Sequence, residues 1–473
     1  MYTNEQIERQ KLADTQLLNK CWAELEKSLS ERSDPETAKK IRAAFEDCYS
    51  GIYQTDDVIA WVANLYSPEH GGFYYSNSAR DNEGFLPDIE STKQAMDIIP
   101  YISTDDELGN TPKDFYPDWI KKQIVCFLKQ RQNENGYFYH PQWAKEFTDT
   151  KHNRRGRDLA WACRILEDFG GAPTYDTPIG VRGNGILWDG TPAPDYTPSV
   201  SEKNEPAAPK EEFVTPHLKD KESFLEYLST FDLNGACYST GNTFESQANQ
   251  ILARDVQLKK MGADYSLCEI LADWFNRHQN PDTGLWTLGD EITQTGINGL
   301  LKISSTYNRI KQPIPNAEKG ISSAIKLIES GYNAANICAI LNPWGAISML
   351  FQNAEKYSVS NDEQTKEKLA EYEKYLFEHS VDMIHATKNL LVQFKKPDGS
   401  YSMLRNSSSW YSQEHPVAIP NTDEGDVNAT VISLIGIIGN VFNLLKLKRI
   451  PVFTGADKMK YLNMLEESAN IEK

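Results

Sequence analysis

Five basic side chains fall within seven residues at Lys151, His152, Arg154, Arg155 and Arg157, in a chain whose formal net charge is -18. Guanidinium forks of this density can grip a carboxylate or phosphate in bidentate fashion; the competing reading is a solvated loop whose arginines pair with surface acids. A second concentration lies in SSSWYSQEHPVAIPNTDEGDVNA, which supplies Trp410, Tyr411, His415, Asp423, Glu424 and Asp426. Tyrosine with histidine or arginine is the equipment of uronide β-elimination, in which one group steadies a carboxylate and another moves protons. Paired carboxylates would serve glycoside hydrolysis instead, and helix capping is the plain alternative for Glu424 and Asp426. The stretch around Pro87 adds Asp88 and Glu90, where Asp88 also reads as a natural helix cap. Tyr139, His140 and Trp143 form a further aromatic and imidazole group. The candidates for proton transfer are therefore Tyr411, His415, His152, Tyr139, Glu424 and Asp426. The candidates for holding substrate are Arg154, Arg155, Arg157, His140, Trp143, Trp188, Trp286, Trp410, Asp88 and Glu90.

Helical periodicity supplies the elements that must carry them. Ile120, Ile124, Phe127 and Leu128 repeat at helical spacing, as do Leu267, Ile270, Leu271, Trp274 and Phe275. Val431 to Leu447 is apolar nearly all round, as for a helix enclosed by others. Alternating β patterns are scarce, so the fold class is all-α. Between Pro173 and Pro216 the chain departs from this style and gathers eight of its 23 prolines. Its first half, with GNGILWDG, is expected to form an ordered cover or lid, and Ser199 to Glu212 a mobile segment. Helices of one kind on both sides favour a single domain, 1–473, over an interdomain linker.

A turn recurs. HGGFYYS at 70–76, ENGYFYH at 134–140, DTGLWTLG at 282–289 and PDGSYSM at 397–403 each follow a helix with a polar residue, glycine and then an aromatic. LNGACYST at 233–240 is a degenerate fifth copy. Glycine stops a helix because it takes the left-handed conformation cheaply, and the aromatic beyond it can pack back on the helix pair. After a loop, each turn leads to a polar helix start: PDIESTKQAM, RRGRDLAWACRIL, FESQANQIL, DEITQTGINGLLKI or DEGDVNATVISLIG. Repeated helix hairpins bury their faces against one another, and alternation of amphipathic outer helices with apolar inner ones favours closure into a toroid. In such a closed form the inner helices start at one shared rim, which suits anionic or hydroxyl-rich ligands.

Arg131 to Phe138 (RQNENGYF) and His278 to Trp286 (HQNPDTGLW) resemble the glutamine-tryptophan repeats of terpenoid cyclases. The same turns occur across the α/α-toroid superfamily, which includes protein prenyltransferases and toroidal polysaccharide lyases and glycosidases. The resemblance implies an (α/α)6 toroid and identifies architecture more than chemistry. The leading expectation is a carbohydrate-active enzyme, lyase or glycosidase, on an acidic or hydroxyl-rich oligosaccharide; 10 Trp and 23 Tyr suit sugar rings. The alternatives are a terpenoid-cyclase-like enzyme and a non-catalytic ligand-binding toroid. Thr422-Asp423-Glu424-Gly425-Asp426 departs from the acidic motif of class II cyclases, and Asp105-Asp106-Glu107-Leu108 is a short match to the class I magnesium motif. The sequence names no cofactor and no metal set: no Cys–His spacing implies zinc, and no EF-hand spacing implies calcium.

The acidic balance argues against nucleic acid as a partner and against an anionic membrane surface. Met1 to Lys20 lacks the apolar core of a signal peptide, and the apolar run at 431–447 is broken by Ser433, Asn440 and Asn443. A cytoplasmic protein is expected, with seven scattered cysteines as buried thiols.

Overall fold

The computed structural model describes residues 1–194, 196–197, 211–357 and 363–471. It is mostly helical, and its strands are two short antiparallel pairs, Tyr66–Ser67 with Gly72–Phe73 and Tyr411–Ser412 with His415–Pro416.

Six helices succeed one another by contact. Ile89–Ile98 packs on His152–Asp168, which packs on Cys237–Lys260; that helix packs on Gln294–Ile310, and the next is Ile337–Tyr357. Ile337–Tyr357 then meets the stretch Val427–Leu444, which returns to Ile89–Ile98. Ahead of each in sequence stands an amphipathic helix: Thr55–Asn64, Asp118–Lys129, Lys221–Ser229, Leu267–His278, Ala317–Glu329 and Ser380–Leu391. Val427–Leu444 is long and apolar enough to cross a membrane, and 56% of it is buried inside the molecule. Its middle, Ile432–Ile437, is wound as a π-helix.

The glycine-aromatic turns explain how an amphipathic helix passes to the next of the six. Gly71, Gly136, Gly284 and Gly399 all take positive φ, between 70° and 83°. The aromatic that follows is buried in each case: Phe73, Tyr137 and Phe138, Trp286, and Tyr401. Trp286 donates its indole N–H to the Phe275 carbonyl at 2.8 Å, and Tyr401 donates to the Ile52 carbonyl at 2.8 Å, so each ring is pinned to the helix preceding its turn or to its neighbour. Trp286 is thus a core residue with no reach to a ligand. The degenerate fifth turn is different: Gly235 lacks a positive φ, and Asp232 accepts its N–H in a tight loop.

Two helix starts differ from the sequence expectation. The basic run is no loop before a helix but its first turns, because the helix begins at His152. The helix placed at Phe244 begins seven residues earlier, at Cys237. Within DEITQTG the expected polar start holds, with Thr293 as the cap of Gln294–Ile310.

Of the Pro-rich stretch, the part up to Pro194 packs outward. Gln132 accepts from the Thr174 and Tyr175 N–H groups, and Lys129 Nζ donates to Asn184 Oδ1 and the Ile186 carbonyl. It therefore leans on the outer helix Asp118–Lys129 and its turn. Of the segment expected to be mobile, Ser199 to Lys210 lies outside the described residues; Glu211–Phe213 forms a short 3-10 turn.

Two glycines separate conformation from crowding. Gly136 and Gly170 both have positive φ, but a Cβ at Gly136 would lie 2.2 Å from the Asp176 carbonyl oxygen while one at Gly170 meets nothing. Gly170→Ala is expected to cost about 1 kcal/mol and Gly136→Ala about 3 kcal/mol in unfolding free energy, measured by denaturant titration.

Candidate functional site

The loops that lead into the six helices are knitted together. The Val427 N–H donates to the Tyr75 carbonyl, Ile89 N–H to His140 Nε2, Trp143 Nε1 to the Pro416 carbonyl, and the Ile337 N–H to the Met403 carbonyl. Gln294 Nε2 donates to the Asn333 carbonyl. The candidates read from sequence sit on or beside these loops, and most of them do the knitting.

Arg154 is the centre of that work. Its side chain is fully buried, and three carboxylates surround it: Asp88 at 2.5 Å, Asp158 at 2.9 Å and Glu90 at 3.4 Å. Burial alone would favour a neutral guanidine, but Asp158, Asp88 and Glu90 outweigh it and lock the cation in place. Asp158, buried beside two other acids, is pushed up to about 7 by desolvation despite Arg154. Asp88 also caps Ile89–Ile98 by accepting from Ser91 N–H at 2.9 Å. The guanidinium lies 4.8 Å from the Trp143 ring centroid. Asp88, Arg154 and Trp143 are therefore framework, closed to a ligand.

The imidazoles share this framework. His140 is buried, accepts the Ile89 N–H at 3.1 Å and meets Trp143 edge-on at 4.9 Å. His415 is buried between Trp143 and Phe147, with Nε2 on Thr148 Oγ1 at 3.0 Å and Nδ1 on the Gln413 carbonyl at 3.1 Å. Since the carbonyl takes the Nδ1 proton, Nε2 accepts from the Thr148 hydroxyl, and both nitrogens are spent. Burial holds His140 far below the usual range and His415 at about 4. Both are held neutral, His415 with both nitrogens bonded and His140 with Nδ1 unpartnered among the described residues.

The acidic candidates after His415 are likewise occupied. Glu424 accepts from Ser76 Oγ, from both N–H and Oγ of Ser78, and from Ser408 Oγ, at 2.5 to 3.1 Å. Asp426 is buried, caps Val427–Val431 through the Ala429 N–H at 2.7 Å and accepts the Met403 N–H at 2.9 Å. Capping, and no acid chemistry, is what these two do. Tyr139 donates to Asp149 Oδ1 at 2.6 Å, and burial with that hydrogen bond raises it above the tyrosine range. Arg155 donates to the same carboxylate at 3.1 Å and to His152 Nδ1 at 3.2 Å. His152 in turn sits 5.2 Å from the His217 ring, a group apart from the rest. Trp188 is exposed on the Pro-rich loop.

What remains is a second set, which faces inward. Arg157, a sequence candidate, donates to Glu90 Oε1 at 2.7 Å and lies over the Trp161 ring at 4.7 Å. Tyr238, Asn242 and Glu245 follow at i, i+4 and i+7 on Cys237–Lys260, and Asn298 and Lys302 at i and i+4 on Gln294–Ile310. Lys302 donates to Glu245 at 2.6 Å, Asn342 to Asn298 at 2.7 Å, and Gln94 to Asn428 at 2.9 Å. Tyr238 interacts electrostatically with Cys338, Arg157, Glu245 and Tyr411 together, so three helices and the 411–416 hairpin converge on it. Burial works against the Glu245 charge, yet Lys302, Arg309 and Arg157 overcome it and hold the carboxyl down at about 2. Burial raises Tyr238 above the tyrosine range and keeps it a proton donor. On the Val427–Leu444 side Val431, Ile432 and Ile435 are half-exposed apolar residues, alongside the half-exposed Asn428 and Asn440.

Three polar atoms of this set have no hydrogen-bond partner among the described residues: Gln94 Oε1, Asn242 Oδ1 and Arg157 Nε. Gln94 and Asn242 are more than nine-tenths buried, so two acceptors and one donor stand unspent in the interior. Above them Trp410 and Tyr411 are almost half exposed, with rings 5.0 Å apart. Sequence reasoning found Arg157, Glu90, Trp410 and Tyr411 but missed Trp161, Tyr238, Asn242, Glu245 and Lys302. The signal was present as a polar stripe (238, 242, 245, 249) between apolar neighbours, hidden by placing that helix start at 244. Five of the seven cysteines are buried, while Cys126 and Cys338 are half-buried, and all are free.

Compared with family models, curated proteins and solved structures, the chain finds no match in any of the three.

Arg154→Ala is expected to lower unfolding free energy by about 3–5 kcal/mol, because it strands three buried carboxylates; denaturant titration measures it. The imidazoles set an acid limit. A folded-state value near 4 for His415, below the usual 6.5 or so, means its contribution is complete above about pH 6.5 and is lost as pH falls towards 4. Lowering pH from 7 to 5 should cost about 1–2 kcal/mol through His415, and His415→Gln should flatten that slope in parallel titrations.

Proposed function

We propose that the chain is an (α/α)6 toroid, 1–473, and a carbohydrate-active enzyme of the lyase or glycoside hydrolase class, acting on a hydroxyl-rich or acidic oligosaccharide. The toroid reading is supported by six helices whose contacts return to their start and by leading loops that join one another. The functional reading is carried by one observation: the unspent Gln94, Asn242 and Arg157 atoms among amides, charges and aromatic rings. Sugar hydroxyls donate to amide oxygens and accept from guanidinium, and sugar faces stack on rings such as Trp161, Trp410 and Tyr411. An isoprenoid would leave these groups unpaired at a cost of about 1–3 kcal/mol each, which disfavours a terpenoid-cyclase-like activity.

In the lyase reading Arg157 steadies the uronate carboxylate and Tyr238 protonates the leaving oxygen. The proton α to the carboxylate is lost, the β C–O bond breaks and a C=C bond forms. That proton passes to solvent, and Glu245, held ionised by Lys302, Arg309 and Arg157, keeps those cations in place around the substrate carboxylate. A hydrolase reading keeps Tyr238 as donor to the leaving oxygen, with Glu90 and Glu245 as the carboxylate pair and water as nucleophile.

Purified protein mixed with uronide oligosaccharides should generate the ultraviolet absorbance of the new C=C bond; reducing ends without that absorbance would select hydrolysis. Tyr238→Phe is expected to lower kcat by about 10²-fold or more while Tm stays within about 2 °C. Silence on all glycans, together with turnover of an isoprenoid diphosphate, would overturn the proposal.

A further inference from the structure

The hairpin between Tyr411 and Pro416 does something that the six helices alone do not require. It belongs to the segment leading into Val427–Leu444, the last of the six, and its far end is fastened on helices elsewhere in the succession. Gln413 accepts from Asn242 Nδ2 at 2.8 Å, on the inward stripe of Cys237–Lys260. Glu414 pairs with Lys151 at 2.5 Å, next to the start of His152–Asp168. His415 and Pro416 hold Thr148 and Trp143 at 3.0 and 3.1 Å. In the order of contacts, Val427–Leu444 and Cys237–Lys260 stand three places apart among six, so the hairpin ties members on opposite sides of the set.

The turn is built to reach. Gln413 and Glu414 both have positive φ, 49° and 70°, as a two-residue hairpin turn demands, although neither is glycine. Left-handed conformations of such residues cost about 1 kcal/mol or more each and persist where surroundings enforce them. Here the surroundings are the Asn242 and Lys151 contacts. The Asn242 amide that grips Gln413 is the one whose Oδ1 is unspent, so the strap lies directly beside the proposed sugar contacts. Trp410 and Tyr411 remain almost half exposed on the same strap.

We propose that this strap closes one side of the site and makes it a pocket for a chain end, so that the protein acts on the terminal unit of an oligosaccharide and not within the chain. Trp410 and Tyr411 then stack the units that trail out of the pocket. The inference rests on the carbohydrate reading of the same site and adds to it which part of the glycan is taken.

The test uses full-length protein and uronide oligosaccharides of increasing length, each carrying a bulky fluorophore at one end or the other. A pocket predicts that blocking one particular end weakens binding at least tenfold while the other label is tolerated, and that wild-type products appear one terminal unit at a time. Gln413→Gly, which removes the Asn242 tether and relaxes the turn, should recover binding of the blocked chain and raise the share of internal cuts. Lys151→Ala, with Tm measured alongside, gives a second way to release the strap without altering the turn or a proposed sugar contact. Binding and turnover indifferent to either label, or mid-chain products from the first time points, would overturn the chain-end assignment and leave the carbohydrate reading standing. No binding and no turnover of any uronide would remove the carbohydrate reading and this inference with it.

Discussion

The buried charge of Arg154 is the constraint on which the site depends. One guanidinium with no solvent exposure joins the cap of Ile89–Ile98, the second residue of that helix and the next turn of its own helix. Moving a cation out of water is costly, and the cost is offset only where several acids accept its N–H groups in good geometry. That requirement fixes two neighbouring helices in register at the end where their leading loops meet. Glu90 then has one oxygen near Arg154 and the other on Arg157, so the framework sets the position of the first inward-facing cation.

From there the interior is organised by unequal partnerships. Glu245 answers to three cations, and its charge survives burial because of them. Tyr238, close to the same groups, keeps its proton because burial disfavours phenolate. A fixed anion and a retained proton two helical turns apart come from the same physics applied to two side chains with different neighbours. His415 shows the opposite result: desolvation outweighs the pull of Asp88 and Glu414, so it stays neutral and serves as a hydrogen-bonding wedge between Trp143, Phe147 and Thr148.

How much was legible beforehand divides along the same line. The helix-glycine-aromatic turns were readable because they depend on local chemistry: only glycine tolerates the φ of Gly136 with a carbonyl against its Cα. Capping by Asp88 and Asp426 was readable for the same reason. The role of Arg154 was not, since nothing in KHNRRGR distinguishes the buried arginine from its neighbours at 155 and 157; three acids brought together by folding make the difference. His415 looked like a loop histidine beside a proline, and only the packing of Trp143 and Phe147 over it shows otherwise. Tyr238 was missed because the degenerate turn at Gly235 drew attention away from the helix that begins two residues later.

The apolar side chains of Val431, Ile432 and Ile435 have a consequence for whatever enters. In the proposed ring Arg157, Asn242, Glu245 and Lys302 would stand across from them, so the site would set hydrocarbon on one helix against polar groups on others. A pyranose ring has the same asymmetry, with C–H groups on its faces and oxygens round its edge. Such a guest can be seated in few attitudes, and a tilted ring would press its hydroxyls against hydrocarbon. The tilt of the ligand would then be set by the contrast between two surfaces and by no single residue.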